Sequence, residues 1–296
     1  MKKLLALILA LSLITVLAGC GTDTTTEADT TPDTAVETPE ATEPVAEATA
    51  TEIEGTVTIS GSTSVEKVGL GLAEEFMALN PSVTVTYESI GSSGGVKNAN
   101  EGVTMIGTAS REIKDTEKEW GMTEAVIAFD GIAVAVNPAN GVTEITKDQV
   151  AAIYKGEITN WSEVGGADED IVVVSREDGS GTRGAFEEIL DFEGALTVNA
   201  LIAEGNGNVQ TTVASNPQAI GYISFSTINN TIVALKVDGA EATMENVLNQ
   251  TFPISRPFNI VYHDANLSDA AKAFVEFIFT AEGQAVVEEK GGIPVK

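Results

Sequence analysis

Four short segments of this chain set glycine or a basic residue beside serine and threonine: SGSTS at 60–64, GSSGG at 91–95, TASR at 108–111 and DGSGTR at 178–183. Such residues can do three things. Backbone N–H groups at a helix start, flanked by hydroxyls, can hold an oxyanion, and glycine lets them approach it closely. A serine can act as a nucleophile if a base stands beside it. The same residues also cap helices without any ligand. One such loop does not separate these readings. Four of them, each closing a strand-like run, favour the anion cradle.

The nucleophile reading lacks its partners. His263 is the only histidine, and the G-x-S-x-G elbow is absent. Ser64 to Lys67 matches S-x-x-K, but neither K-T-G nor S-D-N accompanies it. In GSSGGVKN the lysine neither follows the last glycine nor precedes Ser or Thr, so this is not a P-loop. No His, Cys and Asp cluster has metal-ligand spacing. The chain is therefore read as a non-enzyme with no metal and no cofactor. Arg176 can serve an anion directly, or pair with Asp178 to fix the loop, or do both. Arg183 is either a second cation for the ligand or a brace. His263, Trp120, Trp161 and Tyr154 are read as structural residues.

The elements that must position these loops follow from periodicity. GTVTISGS (55–62) alternates as a strand, and 65–81 has apolar residues at helical spacing up to Asn80-Pro81. Residues 82–95 read as a strand running into a Gly/Ser loop, with a helix in VKNANEG after it, and 103–110 begins the scheme again. DGIAVAVNP (130–138) is a long apolar strand able to leave one domain and enter the next. DIVVVSREDGSGTRGAFEEIL reads as strand, loop and helix, NPQAIGYISF as turn and strand, RPFNIVYH as a returning strand. Strand, small polar loop and helix in succession mean an α/β fold that binds ligands at the carboxyl ends of its strands. The expected architecture is two interleaved lobes joined by two crossings: 55–134 with 258–296, and 135–257.

What precedes the fold is of another kind. Lys2 and Lys3 lead an apolar run from Leu4 to Leu17, too short to span a bilayer comfortably and typical of a secretory leader. LAGC then ends in Cys20, the only cysteine, so no disulfide can form within the chain. LAGC resembles the bacterial lipobox, which implies that 1–20 is a lipoprotein signal and Cys20 the lipidated (palmitate-bearing) mature N-terminus. Residues 21–54 carry ten acidic residues and no basic one, the composition of a disordered acidic tether. The remainder keeps 34 acidic against 14 basic residues, a net −20, after removing ten acids and Lys2 and Lys3 from totals of 44 and 16. That excludes nucleic acid and an anionic membrane surface as partners. A buried anion stays possible, because local backbone dipoles can hold it whatever the global charge.

Taken in order, SGSTSV, ESIGSSGGVK, IGTASRE, DGIAVAVNP, IYKGEITNW, REDGSGTRGAFEE, NPQAIGYISF and FTAEGQAVVEEKGGIPV carry a resemblance over essentially all of 55–296. They resemble the phosphate-binding receptors (PstS-type) of bacterial high-affinity phosphate ABC importers. The resemblance implies a two-lobed type II periplasmic-binding-protein fold with two crossover strands, closing on one dehydrated phosphate. It implies donors from Ser62, Thr63 and Ser64, from Ser92 and Ser93, from Ser110, and from Ser180, Gly181 and Thr182. Arg176 would pair with a ligand oxygen, oriented by Asp178, with Arg183 also bracing the loop. Many members place aspartate after the serine of the third loop, where it accepts the ligand's proton; this chain has Arg111. Asp130 is expected to take over that acceptor role, with Arg111 adding a charge-assisted contact. The implied partners are inorganic phosphate, permease subunits driven by a cytoplasmic ATPase, and the membrane through the lipid on Cys20. The implied state is a monomer on the outer face of the cytoplasmic membrane. Because Arg111 disturbs the usual acceptor, a receptor for another tetrahedral oxyanion such as sulfate is the alternative, and a surface phosphatase or hydrolase using Ser180 or Ser64 a weaker one.

Overall fold

The computed structural model describes residues 52–295. The leader, Cys20 and nearly all of the tether lie outside the described residues. Residues 50–296 form one compact unit. No helix among the described residues is long and apolar enough to cross a membrane.

The chain enters through β1 (Gly55–Gly61), α1 (Glu66–Leu79), β2 (Val83–Ser89), α2 (Ser92–Asn100), β3 (Ile106–Ala109) and the single turn α3 (Asp115–Lys118). The long strand β4 (Thr123–Val136) leads to β5 (Glu144–Ile145), α4 (Lys147–Lys155), β6 (Val172–Arg176), α5 (Gly181–Ile189), β7 (Leu201–Ala203), α6 (Gly205–Ser215) and β8 (Ala219–Ser224). After the short β9 (Val233–Ala234), β10 (Lys236–Val237) and α7 (Met244–Leu248), the chain returns through β11 (Ser255–Tyr262) to α8 (Asp269–Ile278), α9 (Ala281–Glu289) and β12 (Ile293–Pro294).

One sheet runs through both lobes in the order β2-β1-β3-β11-β4-β8-β6-β7. Its outer strands are parallel, β2-β1-β3 on one side and β8-β6-β7 on the other. The antiparallel pair β4 and β11 lies between them. β4 changes partner midway: Thr123 to Gly131 pair with β11, Ile132 to Val136 with β8. A strand buried on both faces reads as a continuous apolar run, and Ile132 to Val136 is one.

Each side of the crossing has its own core. The first gathers Val57, Leu72, Phe76 and Ile106 with Phe258 and Phe274 of the returning chain. The second centres on Tyr154, Trp161, Phe186 and Tyr222, with the Phe186 and Tyr222 rings stacked 4.0 Å apart. Ile293 packs into the second core, because β12 pairs with β4 at Phe129. Trp120 departs from the expectation of a packed residue: it follows the single turn α3 and stays 39% exposed.

Two further differences concern helix starts. GSSGG was expected to be a loop, yet α2 begins at Ser92 and takes the glycines into its first turns. Gly91 supplies the entry at φ 84°, open to glycine and costly for other residues. The stretch 201–215 carried no sequence assignment and forms β7 and α6. Glycine and asparagine at the start of α6 mask its helical pattern, while Val209 and Val213, four apart, bury one face.

Candidate functional site

The loops after β1, β2, β3 and β6 leave the carboxyl ends of parallel strands and meet beside β4 and β11. The structure brings together Ser62, Thr63, Ser64, Ser92 and Ser110 from the first lobe with Arg176, Gly181 and Thr182 from the second. Within the first lobe, Ser62 Oγ accepts the Ser64 backbone N–H at 3.1 Å and donates to Ser110 Oγ at 2.8 Å. Ser92 Oγ accepts the Ser110 backbone N–H at 3.1 Å. Across the cleft, Ser64 Oγ and Thr182 Oγ1 are 2.9 Å apart. These serines and Thr182 are buried. Ser180 caps α5, accepting the Arg183 N–H at 3.2 Å, and keeps its own proton to donate. The first turns of α2 and α5 add backbone N–H groups that have no intrahelical acceptor.

Three arginines adjoin this cluster, each with its own carboxylate. Arg176 is buried at the end of β6. Its Nε and Nη2 donate to the two oxygens of Glu177 at 2.8 and 2.7 Å, and Nη2 reaches Thr63 Oγ1 at 3.2 Å in the other lobe. Tyr222 supports it by accepting the Arg176 backbone N–H at 3.1 Å. Burial pushes the Tyr222 phenol up to about 12, so it stays neutral. Burial alone would raise Glu177 too. The hydrogen bonds and charge of Arg176, helped by the Gly205 N–H, outweigh it and hold the carboxyl below its usual range.

The expected pairing of Arg176 with Asp178 is therefore corrected: Glu177 orients it. Asp178 is 97% exposed at its side chain and binds Arg183 Nη1 at 2.7 Å. Arg183 also donates to Glu187 Oε1 at 2.6 Å and to the Arg176 carbonyl at 3.2 Å, bracing the loop onto its own helix. It does not bridge the lobes. Asp178→Ala is expected to change ligand affinity by no more than about threefold, as for an exposed pair. Glu177→Ala, which strips a buried guanidinium of its partner, is expected to cost more than about tenfold. Isothermal titration of both variants checks the ranking.

Arg111 also behaves differently from its expected contact with the ligand. Nη1 and Nη2 donate to the two oxygens of Glu117 at 2.8 Å each, and Nη2 reaches Ser93 Oγ at 3.2 Å. Burial opposes ionisation of Glu117, but Arg111 holds that carboxyl below its usual range. The guanidinium is thereby committed to bracing the third loop. Ser93 stands at the same edge, its backbone N–H donating to the Gly179 carbonyl of the other lobe at 3.1 Å. These two flank the cluster instead of lining it.

Asp130 lies fully buried on β4. Its Oδ2 accepts Nε and Nη2 of Arg256 at 3.1 and 2.9 Å, and its Oδ1 accepts the Ser224 hydroxyl at 2.9 Å. Burial pushes this carboxyl up and the guanidinium down, and each partner opposes the shift of the other. With three protein donors on it, Asp130 serves as the counter-ion of Arg256, a different role from the expected acceptor of a ligand proton. Arg256 went unread in the sequence. Its Nη2 also donates to Ser64 Oγ at 3.1 Å and its Nη1 to the Ser110 carbonyl at 3.0 Å. Asn206, likewise unread, bridges the lobes from the start of α6 with Nδ2 3.0 Å from Ser64 Oγ.

The arrangement can hold a small oxyanion among hydroxyls, helix starts and neutralised arginines. His263, the one histidine, bonds Asn100 Oδ1 at 3.2 Å on the far side of the first lobe. Among the described residues no three His, Cys, Asp or Glu side chains are grouped to hold a metal ion.

Residues 40–282 match the family model of the PBP superfamily domain. The phosphate-binding protein PstS of Bacillus subtilis is 33% identical over 245 residues, spanning 81% of each chain. That of Borreliella burgdorferi is 29% identical over 251 residues, spanning 81% of this chain and 90% of its own. Among solved structures, a Clostridium perfringens protein assigned as a phosphate ABC transporter substrate-binding protein, with bound phosphate, shares 51% identity and a TM-score of 0.81 over 82% of this chain and 100% of its own. An ABC-type phosphate transport receptor from Vibrio cholerae follows with 35% identity and a TM-score of 0.70 over 81% and 100%.

Proposed function

Since this chain belongs to the PBP superfamily and within it to the PstS-type phosphate-binding receptors, we propose that it captures inorganic phosphate between its lobes and delivers it to the permease of a phosphate ABC importer. The observation that carries this reading is the buried interlobe cluster, in which Thr182 meets Ser64 at 2.9 Å and Arg176 reaches Thr63 at 3.2 Å. Ser62, Thr63, Ser64, Ser92 and Ser110 hold the ion from one side. Arg176, Ser180, Gly181 and Thr182 hold it from the other, with Arg256 and its counter-ion Asp130 behind. Residues 55–134 with 258–296 and residues 135–257 are the moving lobes, and β4 and β11 are the hinge. Binding without chemistry is the task, since the cluster contains serines but no base beside them.

Cys20 supplies the lipid anchor and residues 21–54 the tether that holds this monomer at the outer face of the cytoplasmic membrane. The net −20 of residues 55–296 sets phosphate capture against long-range repulsion, so affinity rests on short-range donors inside the closed cleft.

Calorimetry on residues 50–296, which form one compact unit, tests the reading with phosphate, arsenate, sulfate and molybdate across pH. Phosphate is expected to bind with a one-to-one stoichiometry and more tightly than sulfate. Tight sulfate binding with none for phosphate overturns the substrate, and steady release of phosphate from an ester overturns the non-catalytic assignment.

A further inference from the structure

Asn206 occupies the centre of the cluster with a defined orientation. The Ser224 backbone N–H donates to its Oδ1 at 3.2 Å, and Arg176 Nη1 approaches the same oxygen at 3.5 Å. The Nδ2 end therefore faces the first lobe, where it donates to Ser64 Oγ at 3.0 Å and Thr63 Oγ1 at 3.3 Å. Each hydroxyl receives a second N–H. Ser64 takes one from Arg256 Nη2 at 3.1 Å, and Thr63 one from Arg176 Nη2 at 3.2 Å. A hydroxyl oxygen has two lone pairs and one proton. With both lone pairs occupied, Ser64 and Thr63 can only donate, and the Ser64 proton points across the cleft to Thr182 Oγ1 at 2.9 Å, the side on which the ligand is proposed to sit.

We propose that Asn206 is a specificity-determining positioning residue, which, with Arg256 at Ser64 and Arg176 at Thr63, locks these two hydroxyls as obligate donors to oxyanion oxygens that carry no proton. The inference rests on the phosphate reading and deepens it. An unprotonated oxygen meets a donor at each of these hydroxyls. A P–OH group placed there sets proton against proton and leaves both buried and unpaired, which is the strong form of discrimination in a closed polar site. The monoanion has two proton-free oxygens and the dianion three; with the donor-only N–H groups at the starts of α2 and α5 taking the third oxygen, the site selects the dianion, its one proton turned away from this side. Ser110 can receive it: its Oγ accepts the Ser62 hydroxyl at 2.8 Å, and with its own proton turned to Ser92 Oγ at 3.5 Å it retains a second lone pair. The hydroxyls that meet the ligand are neutral. The charged groups facing Asn206 are Arg176 and Glu177 ahead of α5, Arg256 on β11 and Asp130 on β4, and they are paired with one another.

The test is calorimetry on the full-length protein and two variants, with phosphate on both sides of its second ionisation and with sulfate. Wild-type affinity is expected to rise with the dianion fraction. Asn206→Asp keeps the shape and replaces the Nδ2 donor by an acceptor, so the two hydroxyls turn inward. Dianion and sulfate binding are expected to fall about 100-fold or more, with the monoanion weakened far less, so the pH preference reverses. Asn206→Ala frees one lone pair on each hydroxyl without adding charge and is expected to flatten the dianion preference by about tenfold. Melting curves of the ligand-free proteins report whether each variant folds, and Asn206→Ala decides the matter if the aspartate does not. If both folded variants weaken all ligands by one factor and leave the pH profile unchanged, Asn206 is merely structural and the inference fails. Wild-type protein that binds the monoanion as well as the dianion also overturns it. Wild-type protein that binds no phosphate at any pH overturns the phosphate reading itself, a separate and recognisable result.

Discussion

Arg176→Met is expected to lower phosphate affinity by about 1,000-fold, measured by calorimetry, while the ligand-free protein still folds. The guanidinium organises both sides of the cleft at once: Nε and Nη2 hold Glu177, Nη2 also reaches Thr63, and Nη1 approaches Asn206. Removing it deletes a positive charge from the site and leaves the Glu177 carboxylate facing a dianion without compensation. That second effect is separable. Adding Glu177→Gln to Arg176→Met should recover about tenfold, because it removes the repulsion without restoring a donor. The fold should survive, since the Tyr154, Phe186 and Tyr222 rings of the second core pack without Arg176. The pH dependence has a definite sign. Glu177 is held below its usual range in the folded state, so its pairing is complete above the ordinary carboxylate range and is lost only as pH falls through the depressed value. A variant with affinity within about tenfold of wild type would remove Arg176 from the ligand's surroundings.

Why Glu177 escaped the sequence reading and Asp178 did not is a matter of local geometry. Along an extended chain, neighbours i and i+1 point to opposite faces and i and i+2 to the same one, which favours Asp178 as the partner of Arg176. The strand ends at Arg176, however, and the turn that follows folds Glu177 back onto the guanidinium. Arg256 was hidden for another reason. It stands in an apolar strand before Pro257, and its carboxylate is 126 residues away on β4, a distance that no local spacing records. Asn206 was masked by the glycines around it, which speak against a helix by propensity until Val209 and Val213 pack down. By contrast, the four hydroxyl loops were legible because strand and loop follow one another within a few residues. GSSGG was read as a loop, yet α2 begins within it. A side chain at Gly95 would meet the Gly61 Cα and, at 2.5 Å, the Ser60 carbonyl, so α2 packs too tightly on β1 for anything but glycine. Here tertiary contact overrode the local preference. The two crossings were legible for the same reason as the loops, since residues 131–136 form an apolar run on β4 and residues 257–262 a largely apolar one on β11.

Gly181→Ala separates binding from folding more cleanly than any other substitution in the cleft. Gly181 opens α5 in the second lobe and lies against the first. A Cβ there would run into Ser92 Oγ, with Ser92 Cβ at 2.8 Å and Ser110 Oγ at 2.9 Å. Those atoms belong to the opposite lobe, so the clash exists only when the cleft is closed. With the lobes parted, as the proposed capture requires, the same methyl is clear of Ser92 and Ser110, and alanine in a first helical turn is favoured over glycine by up to about 1 kcal/mol. The methyl therefore penalises closure alone, by about 1–3 kcal/mol if the lobes can shift to admit it. Phosphate affinity is expected to fall about 10- to 100-fold, while the ligand-free melting temperature stays level or rises slightly. Small-angle scattering with saturating phosphate should show the variant remaining more open than wild type. The opposite pattern, a destabilised ligand-free protein with unchanged affinity, would mean that Gly181 matters for folding its own lobe and that α5 does not close onto Ser92 and Ser110 when the ligand binds. Because Ser92 and Ser110 are themselves expected ligand contacts, Gly181→Ala also measures how closely the two lobes must approach before the hydroxyls on both sides can share one ion. A Ser92→Gly change in the same molecule removes the side chain that the new methyl strikes first. If recovered closure is accompanied by recovered affinity, steric contact sets the limit; if closure returns and affinity does not, the Ser92 hydroxyl itself is needed for the ligand.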